Sequence, residues 1–289
     1  MTNLIKPIIA LTIAFSTCLP VFAKGESYKI AAVESNIQRD VMIVRIATGQ
    51  AQKKNSEGKW IPLAVGADLS NLDTIKTGKN STVLVELPEN SGFIRVLPET
   101  ELRVDQIKVD KTLGGGQIAE LSIIKGKVIT KVRKFNRKSS KLQITTKGAT
   151  AAVRGTSFLA SVDENENTKI VVGDGKVSVK GQGEEVLVSP QETTLVALGN
   201  IPTKPAITTK AFDFLISEIK SEKGELKLTG KTDPDSEISV NKSFIYPNND
   251  GTFVGNFNVN DGKNDLTIKS STIDGRTKIS KLKVIKFTD

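Results

Sequence analysis

The chain has 289 residues, 38% hydrophobic and 25% charged, which is ordinary for a folded protein and sets a prior of about two domains. It contains no histidine and one cysteine, Cys18, which excludes Ser-His-Asp and Cys-His catalysis and removes the commonest zinc ligand. Aromatics are only 5%, against a lectin or a nucleic-acid reader built on stacked rings, and a net charge of +9 suits an anionic polymer of the cell envelope or simple solubility.

Lys6, the apolar Ile8–Leu19 and the small-x-small Val21-Phe22-Ala23 predict a signal peptide over 1–23, removed after Ala23. Cleavage there takes away the cysteine, so no disulfide is available to the mature chain. A lipid anchor on Cys18 is the alternative, against which Phe15-Ser16-Thr17 makes a poor lipobox. Beyond Ala23 no apolar run approaches about 18 residues, so no integral membrane segment is expected in the mature chain. The chain is therefore expected to be exported, to the periplasm or the cell surface. Residues 24–39 are polar with little pattern and read as a leader or a first strand.

From Asp40 the pattern is that of strands. Val41–Ala47 is almost continuously apolar, as in a strand buried on both faces. Trp60 reads as a core residue or a cap over a sheet edge, with a ligand platform as the alternative. A glycine between two strand-like runs recurs at Val44–Lys53, Leu121–Thr130 and Ile170–Lys180, where it allows a bend or bulge. Val96–Val104 and Val188–Val196 share a proline at the strand entry, and Ile75–Val83 pairs with Ile144–Val153. Residues 40–198 thus read as one all-β domain of repeated hairpins, solenoid-like or rolled, with a generic sandwich as the alternative. Gly114-Gly115-Gly116 lacks a following Lys-Ser/Thr and is a loop tip, not a phosphate loop.

Lys127, Ile129, Lys131 and Arg133 share one face of a strand, and Arg137 follows them, in a stretch from Leu121 to Lys141 without an acidic residue. That basic face is either a lysine-guarded hairpin edge or a docking surface for an anionic polymer. Arg154, set in the apolar run Ala151–Val153 next to Gly155, is expected to be buried against a carboxylate or pointed at a ligand. Asp163–Asn167 lacks the spacing of an EF-hand loop and reads as a hairpin tip, and no cofactor or metal is expected.

Gly199–Lys210, with Pro202 and Pro205, reads as an extended linker. Over 211–289 seven short strands are expected: Phe212–Ile219, Glu225–Lys231, Glu237–Asn241, Ser243–Tyr246, Phe253–Val259, Asp265–Ser271 and Thr277–Phe287. Turn sequences such as Asn249-Asp250-Gly251 and Asp274-Gly275 separate them, which is the pattern of a small β-sandwich.

Two stretches resemble known families. Ile144–Phe158, I-T-T-K-G-A-T-A-A-V-R-G-T-S-F, is similar to the V-R-G-T-x-F signature of the FecR domain, with Lys147 where that family usually has proline. Asp73–Ser81, with its Thr77-Gly78, and the Leu97-Pro98 segment resemble the same family, over roughly Arg39–Leu198. The resemblance implies a cell-envelope interaction domain of the kind found in signal relays that pass a receptor's state to a sigma factor. Gly230–Asn241, followed by Asp250-Gly251-Thr252-Phe253 and Gly262-Lys263-Asn264, is similar to a bacterial immunoglobulin-like module, with Asp235 where glycine is usual. Such modules space, anchor or adhere.

The reading that follows is an exported, non-enzymatic envelope binding or scaffold protein, an all-β FecR-like domain followed by an immunoglobulin-like sandwich. Its candidate binding residues are Arg154, Lys127, Lys131, Arg133, Arg137 and Trp60. The expected partner is an envelope protein or an anionic envelope polymer, a wall glycan or polysaccharide. The alternative is a periplasmic accessory regulator that senses a ligand and signals through a separate membrane partner. An enzyme working with two carboxylates is a third class, and no spacing singles out such a pair.

Overall fold

Alternation of apolar and polar residues makes most of the chain strand, and among the described residues the one helical segment is a 3-10 turn at Pro88–Asn90. A computed structural model describes residues 40–286, apart from 56, 111, 113, 114, 210, 223, 224 and 242. The signal-peptide and leader readings and Gly114 lie outside the described residues. In chain order the strands are β1 Met42–Thr48, β2 Ala51–Lys54, β3 Trp60–Pro62, β4 Asp68–Leu69, β5 Thr74–Thr77, β6 Thr82–Glu86, β7 Gly92–Val96, β8 Glu101–Val109 and β9 Gln117–Val132. There follow β10 Lys141–Thr145, β11 Thr150–Val153, β12 Ser157–Val162, β13 Thr168–Asp174, β14 Val177–Gly181, β15 Glu184–Val188, β16 Glu192–Val196 and β17 Ala206–Ile207.

These strands form two open sheets that share one strand. Sheet I runs β4-β1-β6-β7-β9-β12-β13-β16-β17. Sheet II runs β3-β2-β5-β8-β9-β10-β11-β14-β15. Strand β9 lies at the centre of both: its first half, up to Lys125, pairs in sheet II, and Gly126–Val132 pair in sheet I. The side chains that face inward from the two sheets, among them Val44, Ile75, Ile94, Leu121, Val128, Leu142, Phe158 and Val179, form one core. Burial of each contributes roughly 1.5–3 kcal/mol.

The recurring glycines are the corners at which the chain passes between the sheets. Gly49, Gly126 and Gly175 have φ of 66°, 87° and 77°, a region that L side chains rarely adopt. At Gly126 space also matters, since a Cβ would stand 2.5 Å from Thr100 Cα. The proline-led segments are corners too: Val96–Val104 passes from sheet I to sheet II, and Val188–Val196 passes back. The third expected equivalence fails. Ile75–Val83 crosses between sheets, whereas Ile144–Val153 is a hairpin that stays in sheet II. Similar turn residues served two topologies there.

After a turn at Gly199 and Asn200, residues 201–209 do not form a free connector. Thr203 donates its N–H to the Leu195 carbonyl at 2.8 Å and accepts from Leu195 N–H at 2.9 Å through Oγ1. Strand β17 then pairs with the start of β16, so the segment is fastened along sheet I.

Beyond it lie β18 Phe214–Glu222, β19 Glu225–Thr232, β20 Ser236–Val240, β21 Ser243–Ile245, β22 Thr252–Asn258, β23 Gly262–Thr272 and β24 Thr277–Lys286, matching the seven expected strands. They form a three-stranded sheet, β18-β19-β22, and a four-stranded one, β21-β20-β23-β24, around a core that includes Leu228, Ile238, Phe253 and Ile268.

Candidate functional site

The outer face of sheet I follows from the register of its strands. Cross-strand pairing sets Arg95, Ile129, Leu159 and Val171 in one row, and Lys127, Ser161 and Lys169 in the next. Alternation on β9 places these residues opposite the core, as the sequence predicts. That face is not solvent, however. Leu159 is 0% exposed and Val171 5%, because Tyr246 and Ile273 of the C-terminal sandwich pack on them.

Polar contacts surround this apolar patch. Arg95 lies over the Tyr246 ring, 5.0 Å from its centroid, and the Tyr246 hydroxyl donates to Glu237 at 2.6 Å. Burial, with Glu237 adding to it, pushes the Tyr246 hydroxyl pKa well above its ordinary value against the pull of Arg95. Asn80 N–H donates to Asn248 Oδ1 at 2.8 Å, and Asn248 Nδ2 returns a bond to Asn80 Oδ1 at 3.1 Å. Asn249 N–H donates to Glu99 at 3.0 Å.

Lys127 is the largest correction to the sequence reading. It is 4% exposed, and its ammonium donates to the Pro234 carbonyl at 2.5 Å. Lys169 beside it pairs with Asp235, which is 7% exposed. Desolvation holds the Lys127 ammonium below the usual lysine value, opposed by Asp235. Lys127 is thus a domain-junction residue and not part of an open basic face. A cleft of about 1130 Å³, lined by Lys125, Lys127, Lys169, Asp163, Pro234 and Asp250, opens beside it.

The remaining basic residues gather at the opposite end of β9. Lys131 is exposed on the strand, and Arg133 and Arg137 are exposed on the loop 133–140 that carries the chain from sheet I back to sheet II. That return is why β10 runs parallel to the first half of β9. The loop is tied down along its length. Arg133 N–H donates to the Ser91 carbonyl, and Phe135 N–H to the Arg154 carbonyl, both at 2.9 Å. Ser140 N–H donates to the Arg137 carbonyl at 3.1 Å, and Arg137 reaches the Gly115 carbonyl. Beneath it is a cavity of about 330 Å³, lined by Glu89, Ser91, Gln117, Arg133, Lys134 and Arg137, among others.

Arg154 departs from the first of its two expected settings. It is neither buried in a strand nor paired with a carboxylate. It is exposed in the turn between β11 and β12, and its Nη2 donates to the Arg137 carbonyl at 2.9 Å. The neighbouring glycine explains the turn: Gly155 has φ 135°, and a Cβ there would stand 2.3 Å from Lys134 Cα. Val-Arg-Gly-Thr is therefore a sheet-crossing corner that holds the 133–140 loop from below. Trp60 belongs to neither place. It is half-buried on edge strand β3, with Lys76 Nζ 4.1 Å and Lys54 Nζ 5.9 Å from its ring centroid. Four ladder steps in sheet II separate β3 from β9, about 19 Å.

The structure thus gathers Arg133 and Arg137 around one cavity, ties Arg154 to the Arg137 carbonyl, leaves Lys131 exposed on the adjoining strand, and removes Lys127 and Trp60. The sequence reading missed Ser91, Gln117, Tyr246 and Asn248. Only Gln117 carried a usable signal. In Q-I-A-E-L-S-I it falls in phase with Ala119, Leu121 and Ile123, a polar residue at a core-facing position.

Residues 73–178 match the model of the FecR protein family. That span runs from the residue before β5 into β14 and includes the whole of β9, the 133–140 loop and Arg154. No curated protein sequence matches the chain. Among solved structures, two crystal structures of a protein described as a candidate anti-sigma factor from Parabacteroides distasonis are similar to it. They have 19% and 20% identity and TM-scores of 0.36 and 0.37, covering 45% of this chain. The chain spans 59% of the length of those structures.

Proposed function

We propose that this protein is an exported accessory regulator of the FecR type. It recognises a ligand and signals by docking a separate partner, with no catalysis of its own. The observation that carries this reading is the FecR match over 73–178, which supports a regulator better than the envelope scaffold expected from the sequence. Ile8–Leu19 and Val21-Phe22-Ala23 support export. The C-terminal sandwich serves as a rigid module of the bacterial immunoglobulin-like kind, seated on sheet I, and presents the FecR-like domain at a fixed orientation.

Deletion of the chain in its own organism, with transcript profiling, tests the reading. A coherent set of transcripts under one sigma factor should shift and be restored by the wild-type chain. An unchanged transcript profile would overturn the regulator in favour of the scaffold.

A further inference from the structure

The cavity under the 133–140 loop has a chemistry that the fold leaves unanswered. Its lining carries three cations, Arg133, Lys134 and Arg137, against one carboxylate, Glu89. Its lining includes Ser91 and Gln117, 8% and 7% exposed, and among the described residues neither Ser91 Oγ nor Gln117 Oε1 has a hydrogen-bond partner. A buried polar atom left unpaired is costly, and native folds seldom keep two in one place without use. The backbone around them is already satisfied: Gln117 N–H donates to Ser140 Oγ at 3.1 Å, and the Ser91 carbonyl accepts from Arg133.

We propose that this cavity binds a hydroxylated carboxylate of monosaccharide size, a hexuronic acid, either free or as the terminal residue of an acidic glycan. Each part of the ligand answers a part of the site. Guanidinium groups at the rim bind a carboxylate through paired, charge-assisted bonds. Gln117 Oε1 is an acceptor and needs a donor, which a carboxylate lacks and a sugar hydroxyl supplies. A neutral sugar leaves the three cations unanswered, and a bare anion leaves the acceptors unanswered. Phe135 adds an apolar wall suited to the C–H face of a sugar ring. A volume of about 330 Å³ lies at the small end of ligand pockets and takes one ring, not a chain of them. Both residues line the cavity, and a change of rotamer is the step that brings their buried oxygens to the ligand. The site deepens the regulator reading by naming what the regulator senses.

Calorimetric titration of the full 289-residue chain tests the site. The probes are galacturonate, glucuronate, galactose, acetate, inorganic phosphate and an oligogalacturonide. A hexuronate, or the oligogalacturonide by its end residue, should bind at least about tenfold tighter than galactose, acetate or phosphate, since charge-assisted bonds to a ligand carry about that discrimination. Binding by the oligomer and not the monomer assigns the source to glycan ends. Arg133→Gln, at an exposed position, should weaken binding about tenfold or more. Gln117→Leu should weaken it too while leaving the melting temperature unchanged or raised, because it removes an unpaired acceptor. No heat with any uronate, equal affinity for acetate or phosphate, or wild-type binding by both variants would overturn the proposal. Uronate binding with an unchanged transcript profile overturns the regulator reading and keeps the site. A transcript response without uronate binding does the reverse.

Discussion

Lys127 shows how one residue's role turns on what covers it. Its ammonium is buried between Pro234 and Asp235, and desolvation lowers its pKa from the ordinary 10.5. The unfolded chain therefore holds this proton to higher pH than the folded chain does. Stability from this group is complete above the ordinary value and is lost as pH falls through the folded value. Urea unfolding of the wild type and Lys127→Met across about pH 7 to 10.5 should show the wild type gaining on the variant as pH rises. Parallel curves would show that burial does not perturb Lys127. Gly126, next to it, is held by geometry. Gly126→Ala must accept φ of 87° and a Cβ 2.5 Å from Thr100 Cα, and should cost at least about 2 kcal/mol in the same measurement.

At the scale of elements, β9 organises the FecR-like domain because it is the one strand shared by both sheets. Its bend at Gly126 brings its two ends to one side, and the 133–140 loop closes that side. Arg154 fastens the loop from the next corner. Arg154→Ala removes the bond to the Arg137 carbonyl and should cost about 1 kcal/mol or less, the loop keeping its other ties. Its more telling readout is faster amide exchange over 133–140, and unchanged exchange there would deny Arg154 a clamping role. The segment 201–209 depends similarly on one side chain. Thr203→Val deletes the Oγ1 contacts to Leu195 and Thr194, and limited proteolysis should then cut this segment sooner than in the wild type.

For the whole molecule, the decisive feature is the seat of the C-terminal sandwich on the outer face of sheet I. An apolar centre of Leu97, Leu159, Val171 and Tyr246 ringed by hydrogen bonds has the anatomy of a stable interface. Scanning calorimetry should therefore give a single transition for the wild type. Tyr246→Ala removes the central ring and its contact with Arg95, which should cost about 3 kcal/mol or more and separate the trace into two transitions. One unaltered transition in that variant would mean that the two parts are not coupled through this face.

The amino-acid sequence by itself determined the strands, their two faces and their corners. Side-chain alternation has a period of two, and glycine and proline mark the bends, so seven C-terminal strands, three glycine corners and the outward phase of Lys127 were all legible. What alternation states is only which residues share a face. Whether that face meets water or another sheet is decided by contacts between residues more than a hundred positions apart, such as Lys127 with Pro234 and Asn80 with Asn248. The same limit hid the cavity. Gln117 reads as a polar residue on a core-facing phase, but only the return of the 133–140 loop across the ends of β9 sets it beside Ser91 and under Arg133. Arg154 was singled out for the right neighbourhood and the wrong partner, because a local motif records the turn that glycine permits and not the carbonyl that the turn comes to face.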